Sequence, residues 1–210
     1  VELAKVGYDV LIVDVNCDAN AERVLASIRE TGREAKFHAA DVSAIEAHEG
    51  IFAAAAALPG RLTCLVNNAG VSSTIRGDML ELSPQSYDRV MAVNLRGAFF
   101  LTQSFAKRLI ARHGVTAEGD FRSIVNITSS NAEILGLDRA DYTISKSAMS
   151  MLTRLFAARL AAHRIHVYEI RPGLIRTEMT AAGAAHNEAF LASGGVPFNR
   201  WGEPGDIGSV

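Results

Sequence analysis

The feature that most constrains this chain is a strict alternation of short β-branched runs with helical stretches. Residues 8–15 (YDVLIVDV) form an apolar run ending in Asp14, which reads as a buried strand feeding a turn. Asp18 follows as an N-cap, because Ala19 to Thr31 places Val24, Leu25 and Ile28 at helical spacing before a stop at Gly32. The same alternation predicts a strand over 34–39, a helix from about Ser43 to Leu58, a strand over 62–66 and a long helical stretch within 84–113. A strand over 122–128 (RSIVNIT), a helix over about 140–162 and a strand over 165–170 (IHVYEI) complete the series. Strands separated by helices are joined by right-handed crossovers, so the economical architecture is a parallel sheet with helices on both faces. With 210 residues, 49% of them hydrophobic and 21% charged, the chain can bury one sizeable core and reads as a single domain over 1–210.

Several function classes are disfavoured at once. A formal charge of −2 with scattered Lys and Arg offers no field for a polyphosphate backbone, so no nucleic-acid partner is expected. Cys17 and Cys64 are the only cysteines and lack the spacing of a zinc site; they read as reduced thiols of a cytoplasmic protein, and no metal is expected. His163 and His166 read as surface residues rather than ligands. The longest apolar run, Ile51 to Leu58, is far short of the roughly 20 residues that span a bilayer, so no membrane partner is expected.

Ligands of parallel sheets bind beyond the carboxyl ends of the strands. Three stretches lie there: Asn67 to Thr74, Ser129 to Asp141, and Pro172 to Trp201. The last carries Phe190, Leu191, Phe198 and Trp201, and its 174–203 portion reads either as a substrate lid or as a plain surface loop. Tyr142 and Lys146 are four apart on the helix over 140–162, so they share a face. A cation beside a phenol favours the phenolate and suits it to general acid/base work, although an ordinary surface pair has the same spacing. Ser129 stands where a strand runs out, able to hydrogen-bond a substrate oxygen or merely to form a turn. Small residues in Asn67-Asn68-Ala69-Gly70 would let backbone approach a ligand. Asn94, a polar residue inside an apolar helical stretch, is either a structural hydrogen-bonder or part of a relay.

In this order, together with Pro172-Gly173 and Thr177, these residues strongly resemble the classical short-chain dehydrogenases/reductases over almost the whole chain. The resemblance implies a Rossmann-type, doubly wound parallel α/β sheet and an NAD(P)(H)-dependent oxidoreductase interconverting a carbonyl and a secondary alcohol. Tyr142 would exchange a proton with the substrate oxygen, Lys146 would depress its pKa and hold the nicotinamide ribose, Ser129 would orient the carbonyl, and Asn94 would anchor a water-mediated relay. Cofactor contacts are implied for Asn68, Ala69, Gly70, Tyr142, Lys146, Pro172, Gly173 and Thr177, with Asp41 and Val42 beside the adenine. Asp14 occupies the place where dinucleotide folds bind the adenosine ribose 2′-hydroxyl, and no Lys or Arg follows within Val15 to Ala21; NAD(H) is therefore favoured, with NADP(H) possible.

Candidates for the substrate pocket are Ser72, Ser73, Glu133, Ile134, Leu135, Leu174, Met179, Phe190 and Trp201. The sequence is most similar to proteins labelled 3-oxoacyl-(acyl-carrier-protein) reductase, which implies a small-molecule or acyl-thioester carbonyl as substrate. Asp14, with Asp120 and His163 near where carrier-docking bases are expected and Arg122 and Arg164 only close by, keeps a sugar, polyol or other small-alcohol dehydrogenase as the alternative. A non-catalytic dinucleotide sensor is the alternative of another class. The resemblance also places a strand, a glycine-rich turn and a helix before Val1 and a strand after the last residues. That first strand would lie between the strands at 8–15 and 62–66, and Glu2 to Lys5 reads as the end of the helix with Gly7 as its stop. Apolar residues on more than one face of the helix at 142–162 (Ala148, Met151, Leu152, Leu155, Phe156, Leu160), read with the resemblance, imply a homotetramer.

Overall fold

The computed structural model describes residues 1–113, 121–181 and 184–210. Its strands are β1 (Val10–Asp14), β2 (Ala35–Ala39), β3 (Cys64–Asn67), β4 (Arg122–Ile127) and β5 (Ile165–Ile170). The helices are α1 (Glu2–Lys5), α2 (Ala19–Arg29), α3 (His48–Ala56), α4 (Pro84–Met91), α5 (Ala98–His113), α6 (Ala140–Leu160), α7 (Glu178–Ala181), α8 (Ala184–Ala192) and α9 (Pro204–Gly208). The Asp18 carboxylate caps α2 by accepting from the Ala21 amide at 2.8 Å, and Gly32 ends the unit at φ +80°. Among the described residues no helix is long and apolar enough to cross a membrane.

All strand pairs are parallel, as expected. Val10 lies opposite Ala35 in the β1–β2 pair, and β3, β4 and β5 follow one another in a second sheet. Side chains of β1 alternate between two layers: Leu11 and Val13 join the core of α3, α5 and α6 around Phe105, Leu109 and Ile124, while Val10 and Ile12 join Ala4, Leu25 and Ile28 of α1 and α2. Burial on both faces is why the strands read as nearly continuous apolar runs.

The structure departs from the expected single sheet in that β1 and β3 do not pair. Their facing edges enclose a cavity of about 690 Å³ lined by residues such as Leu11, Val13, Leu65, Leu101 and Phe105. The split falls between the two strands that the resemblance separates by a further strand, and it leaves a row of backbone groups on each edge without a strand partner among the described residues.

Two helical expectations are also refined. Asp41 takes the Ser43 amide and hydroxyl, both at 2.8 Å, so the α-helical part of 43–58 starts only at His48 after a 3-10 turn at Ile45–Ala47. Within 84–113, the six residues Ala92–Gly97 form a π-helical segment between α4 and α5. Here the Val42 carbonyl approaches so closely that a Cβ on Gly97 would lie 2.5 Å from its oxygen. Gly97→Ala should therefore cost about 1–3 kcal/mol by overpacking, read as a lowered urea midpoint; an unchanged midpoint would show that the 41–42 turn gives way freely.

Candidate active site

The carboxyl ends of β3, β4 and β5 emerge at one edge and are braced from below by side-chain amides. Asn67, the last residue of β3, donates to Thr102 on α5 at 2.8 Å and to the side-chain Oδ1 of Asn126 at 2.7 Å; Asn126 Nδ2 in turn donates to Thr153 on α6 at 2.9 Å. All four are buried, so this ladder holds the spacing between two helices and two strands where no water can substitute for a lost bond.

Above it lies Lys146, only 5% exposed, whose Nζ donates to the Ile127 carbonyl at 2.8 Å and sits 5.7 Å from the Tyr142 ring centre. Burial lowers the pKa of this ammonium to about 8. A Cβ on Gly70 would come within 3.6 Å of Nζ and 3.4 Å of the Asn94 oxygen, so the glycine keeps this corner open. Asn94, fully enclosed in the π-helical segment, accepts from the Val71 amide at 2.8 Å and donates to the Val71 carbonyl and to Ser145 Oγ, both at 3.0 Å. The Ser145 hydroxyl in turn donates to the Tyr142 backbone carbonyl at 2.7 Å. The Asn94 side chain thus ties the loop after β3 to the helix that carries the tyrosine. Ser145 was not singled out from the sequence, although it stands directly before Lys146 on the same helix.

Ser129 follows β4 in extended conformation, nearly buried, and caps the short turn Ser130–Ala132 by accepting from the Asn131 amide at 3.1 Å. Both readings of this residue are compatible with that contact, since the hydroxyl hydrogen has no acceptor among the described residues. The turn packs on α6, where Ser147 donates to the Ala132 carbonyl at 2.8 Å.

The cofactor-side candidates occupy neighbouring loops. Asp14 is exposed at the end of β1, one carboxylate oxygen accepting from the Val15 amide. Asp41 and Val42 form a turn fixed by Ser43 and by His48, whose Nε2 lies 2.8 Å from the Val42 carbonyl. Asn68 and Ala69 lead from β3 to Gly70, the Pro172 carbonyl accepts from the Ser130 amide at 2.9 Å, and Gly173 has open space where a side chain would stand. The Thr177 amide donates to Thr180 at 3.0 Å, and Asn20 at the start of α2 donates to Glu178 on α7.

Pocket candidates divide into two groups. Ser72 offers its carbonyl to Arg89, Ser73 donates to the buried Asp141, and Glu133 pairs with Arg171, so these three are held in place. Ile134, Leu135, Met179 and Phe190 are exposed, Leu135 at 79%. Leu174 is half-buried, its carbonyl accepting from the Gly202 amide at the bridge between Ile175 and Gly202 that closes the base of the 174–203 segment. Trp201 is buried within that segment, its indole donating to Glu188 at 2.7 Å with Arg176 over the ring. It anchors the segment rather than standing free to meet a ligand.

The depressed Lys146 pKa has a sign that can be tested. Between pH 8 and 10.5 the unfolded chain keeps a proton that the folded chain releases, so stability rises with pH across that window. Relative to Lys146→Met, the parent should gain on the order of 3 kcal/mol from pH 7 to 10.5 without dinucleotide, measured by urea unfolding. A pH-independent difference would show that the ammonium is not desolvated.

Known proteins resemble this chain in sequence and in fold. A family profile described as enoyl-(acyl carrier protein) reductase matches residues 1–210. The 2-dehydro-3-deoxy-D-gluconate 5-dehydrogenase of Dickeya dadantii (strain 3937) is 32% identical over 99% of this chain and 78% of its own length. Among solved structures, a 3-oxoacyl-(acyl-carrier protein) reductase from Brucella melitensis in complex with NAD superposes with a TM-score of 0.90 at 42% identity, over 99% of this chain and 80% of that one. A gluconate 5-dehydrogenase from Burkholderia cenocepacia J2315 in complex with NADP and tartrate gives 0.82 at 29% identity, over 96% and 76%. With the profile matched over residues 1–210 and relatives of this identity covering nearly the whole chain, this chain belongs to the short-chain dehydrogenase/reductase family of NAD(P)-dependent oxidoreductases.

Proposed function

We propose that the chain oxidises a small polyhydroxylated secondary alcohol, or reduces its ketone, with Tyr142 as the proton-transferring group and NAD(H) as the preferred cofactor. The observation that carries the substrate class is the pairing of five arginines near the site: Arg76, Arg139, Arg171, Arg176 and Arg200 each face a carboxylate of this chain, while Arg89 is held on the Ser72 carbonyl. Paired arginines offer little free positive field to an acidic carrier protein. The gluconate-type names of several relatives support the same class. The 42% identity to the Brucella reductase favours a second reading, reduction of a 3-oxoacyl thioester.

The site suits a dinucleotide. Lys146 spends one hydrogen on Ile127, leaving two for a ligand's hydroxyls, and Gly70 and Gly173 keep space open beside it. A bound nicotinamide would supply or accept the hydride. Tyr142 would give or take the proton at the substrate oxygen, Ser129 would donate its unclaimed hydroxyl hydrogen to that oxygen, and the Lys146 charge would favour the phenolate. Asn94 would hold the relay end of the site in register. Asp14, with no base in 15–21, would repel a 2′-phosphate and accept from a 2′-hydroxyl. The 174–203 segment, closed at its base by the Ile175–Gly202 bridge, would act as the substrate lid.

A groove of about 730 Å³ between α4, α5 and α6, lined by Met91, Leu95, Phe99, Met151 and Leu155 with Asp88 and Arg96 at its rim, would seat a second copy in a homotetramer. Leu155, 61% exposed, is the residue to change: Leu155→Glu should reduce the sedimenting mass.

Two measurements test the chemistry. Tyr142→Phe should lower turnover by about 10²–10⁴-fold while dinucleotide affinity stays within a few-fold, and comparable activity in the variant would remove the assignment. In a panel with NADH and NADPH, keto-gluconates should exceed acetoacetyl thioesters in kcat/KM and NADH should bind more tightly. A thioester preference would establish the second reading.

A further inference from the structure

Behind the site lies an ionic cluster that neither the motif residues nor the proposed chemistry uses. The Glu169 carboxylate on β5, 14% exposed, accepts from Thr128 at 2.8 Å, from Ser150 at 3.2 Å and from Arg171 through Nε at 2.9 Å and Nη2 at 3.1 Å. The same guanidinium reaches Glu133 at 2.5 Å and Ser150 Oγ at 2.8 Å. Arg171 beside it holds the Glu169 carboxyl below the usual carboxylate range despite burial.

What matters is which segments these partners belong to. Thr128 immediately precedes Ser129. Glu133 follows the turn that Ser129 caps, and Ser150 lies one helical turn beyond Lys146. Arg171 directly precedes Pro172, whose carbonyl accepts from Ser130. One planar guanidinium, with five donors in a fixed fork, therefore joins the strand end carrying Ser129, the helix carrying Tyr142 and Lys146, and the Pro172-Gly173 loop.

We infer that Arg171 is a positioning residue: through Glu169, Glu133 and Ser150 it fixes the Ser129 turn against α6 at the separation at which Ser129 and Tyr142 address one substrate oxygen. This rests on the reading that Ser129 and Tyr142 perform the chemistry. Displacements of about an ångström at a reacting centre cost on the order of a hundredfold in rate, so a brace of this kind is felt in kcat before it is felt in binding. It also has an electrostatic consequence. Without Arg171 the Glu169 charge stands uncompensated against Ser150, which lies one turn of α6 beyond Lys146, and raises the pKa at which the site loses its proton.

The test compares Arg171→Met, Arg171→Met/Glu169→Gln, Glu133→Gln, Arg171→Met/Glu133→Gln and their parent, with Tyr142→Phe as reference, by steady-state kinetics from pH 6 to 10. Arg171→Met should lower kcat by roughly tenfold or more, change substrate KM less than about threefold, and move the pH midpoint of kcat upward. Adding Glu169→Gln should return the midpoint to the parent value without restoring kcat, a response that a general loss of packing would not produce. Glu133→Gln, at an exposed carboxylate, should lower kcat by about threefold with an unchanged urea midpoint, and its effect should vanish in the Arg171→Met background. Should Arg171→Met fail to fold, Glu133→Gln decides: parental kcat overturns the inference. So does parental kcat and pH dependence in folded Arg171→Met. A fully active Tyr142→Phe instead overturns the reading on which the inference rests.

Discussion

A lysine ammonium buried at the mouth of the sheet is the constraint that organises this protein. Desolvating a cation costs several kcal/mol unless the surroundings return most of it, and Lys146 has one acceptor among the described residues, the Ile127 carbonyl. That carbonyl can serve only because β4 ends there and turns away, freeing its last group from the ladder. The helix must then approach the strand end closely, which Ser145, Ser147, Ser150 and Thr153 allow: each is small and each hydrogen-bonds a partner outside its own side chain. The cost of holding the ammonium is a pKa of about 8.

The π-helical segment answers a second demand. An uninterrupted α-helix through 84–113 would carry Asn94 away from the loop after β3 at the angle set by 3.6 residues per turn. Widening one turn lets the Asn94 amide reach both backbone groups of Val71 and Ser145 together, while Gly97 admits the Val42 carbonyl on the opposite side. One local irregularity therefore links the loop after β2, the loop after β3 and the helix that carries Tyr142 and Lys146. Its existence is more informative about function than the regular helices that flank it.

Legibility in the sequence followed the range of the interactions. The five strands were readable because strands buried on both faces are apolar runs, and β5 matches its expected limits residue for residue. Tyr142 and Lys146 were readable because their contact is local to one helical turn. The π-helical segment was not legible, since the mixed sequence of Ala92–Gly97 suits an α-helix equally well and the hydrophobic period shifts by a single residue. Nor did the Arg171 cluster, whose ties to Glu133 and Ser150 span 38 and 21 residues and depend on how a strand, a turn and a helix converge. The tie of Trp201 to Glu188 was not legible either, since it depends on how the 174–203 segment folds back on itself.

The same contrast explains why reaction class is clearer than substrate. Asn94, Ser129, Asp141 and Lys146 are all less than a tenth exposed, and each is bonded to backbone or to another buried group, so changing one disturbs the fold as well as the chemistry. Leu135 and Met179 at the rim are largely exposed and carry no hydrogen bonds from their side chains. Such positions can change with little loss of stability, because surface substitutions away from caps and buried networks usually fall within about 0.5 kcal/mol. A chain can therefore keep its proton-transfer core while its rim adapts to a different alcohol, and relatives named for gluconates and for acyl carriers can share one architecture. What selects between them must lie where the core meets the rim, at side chains exposed enough to touch a ligand yet held firmly enough to discriminate. Among the pocket candidates Ser73 and Glu133 meet that condition, the first bonded to Asp141 on α6 and the second to Arg171 after β5.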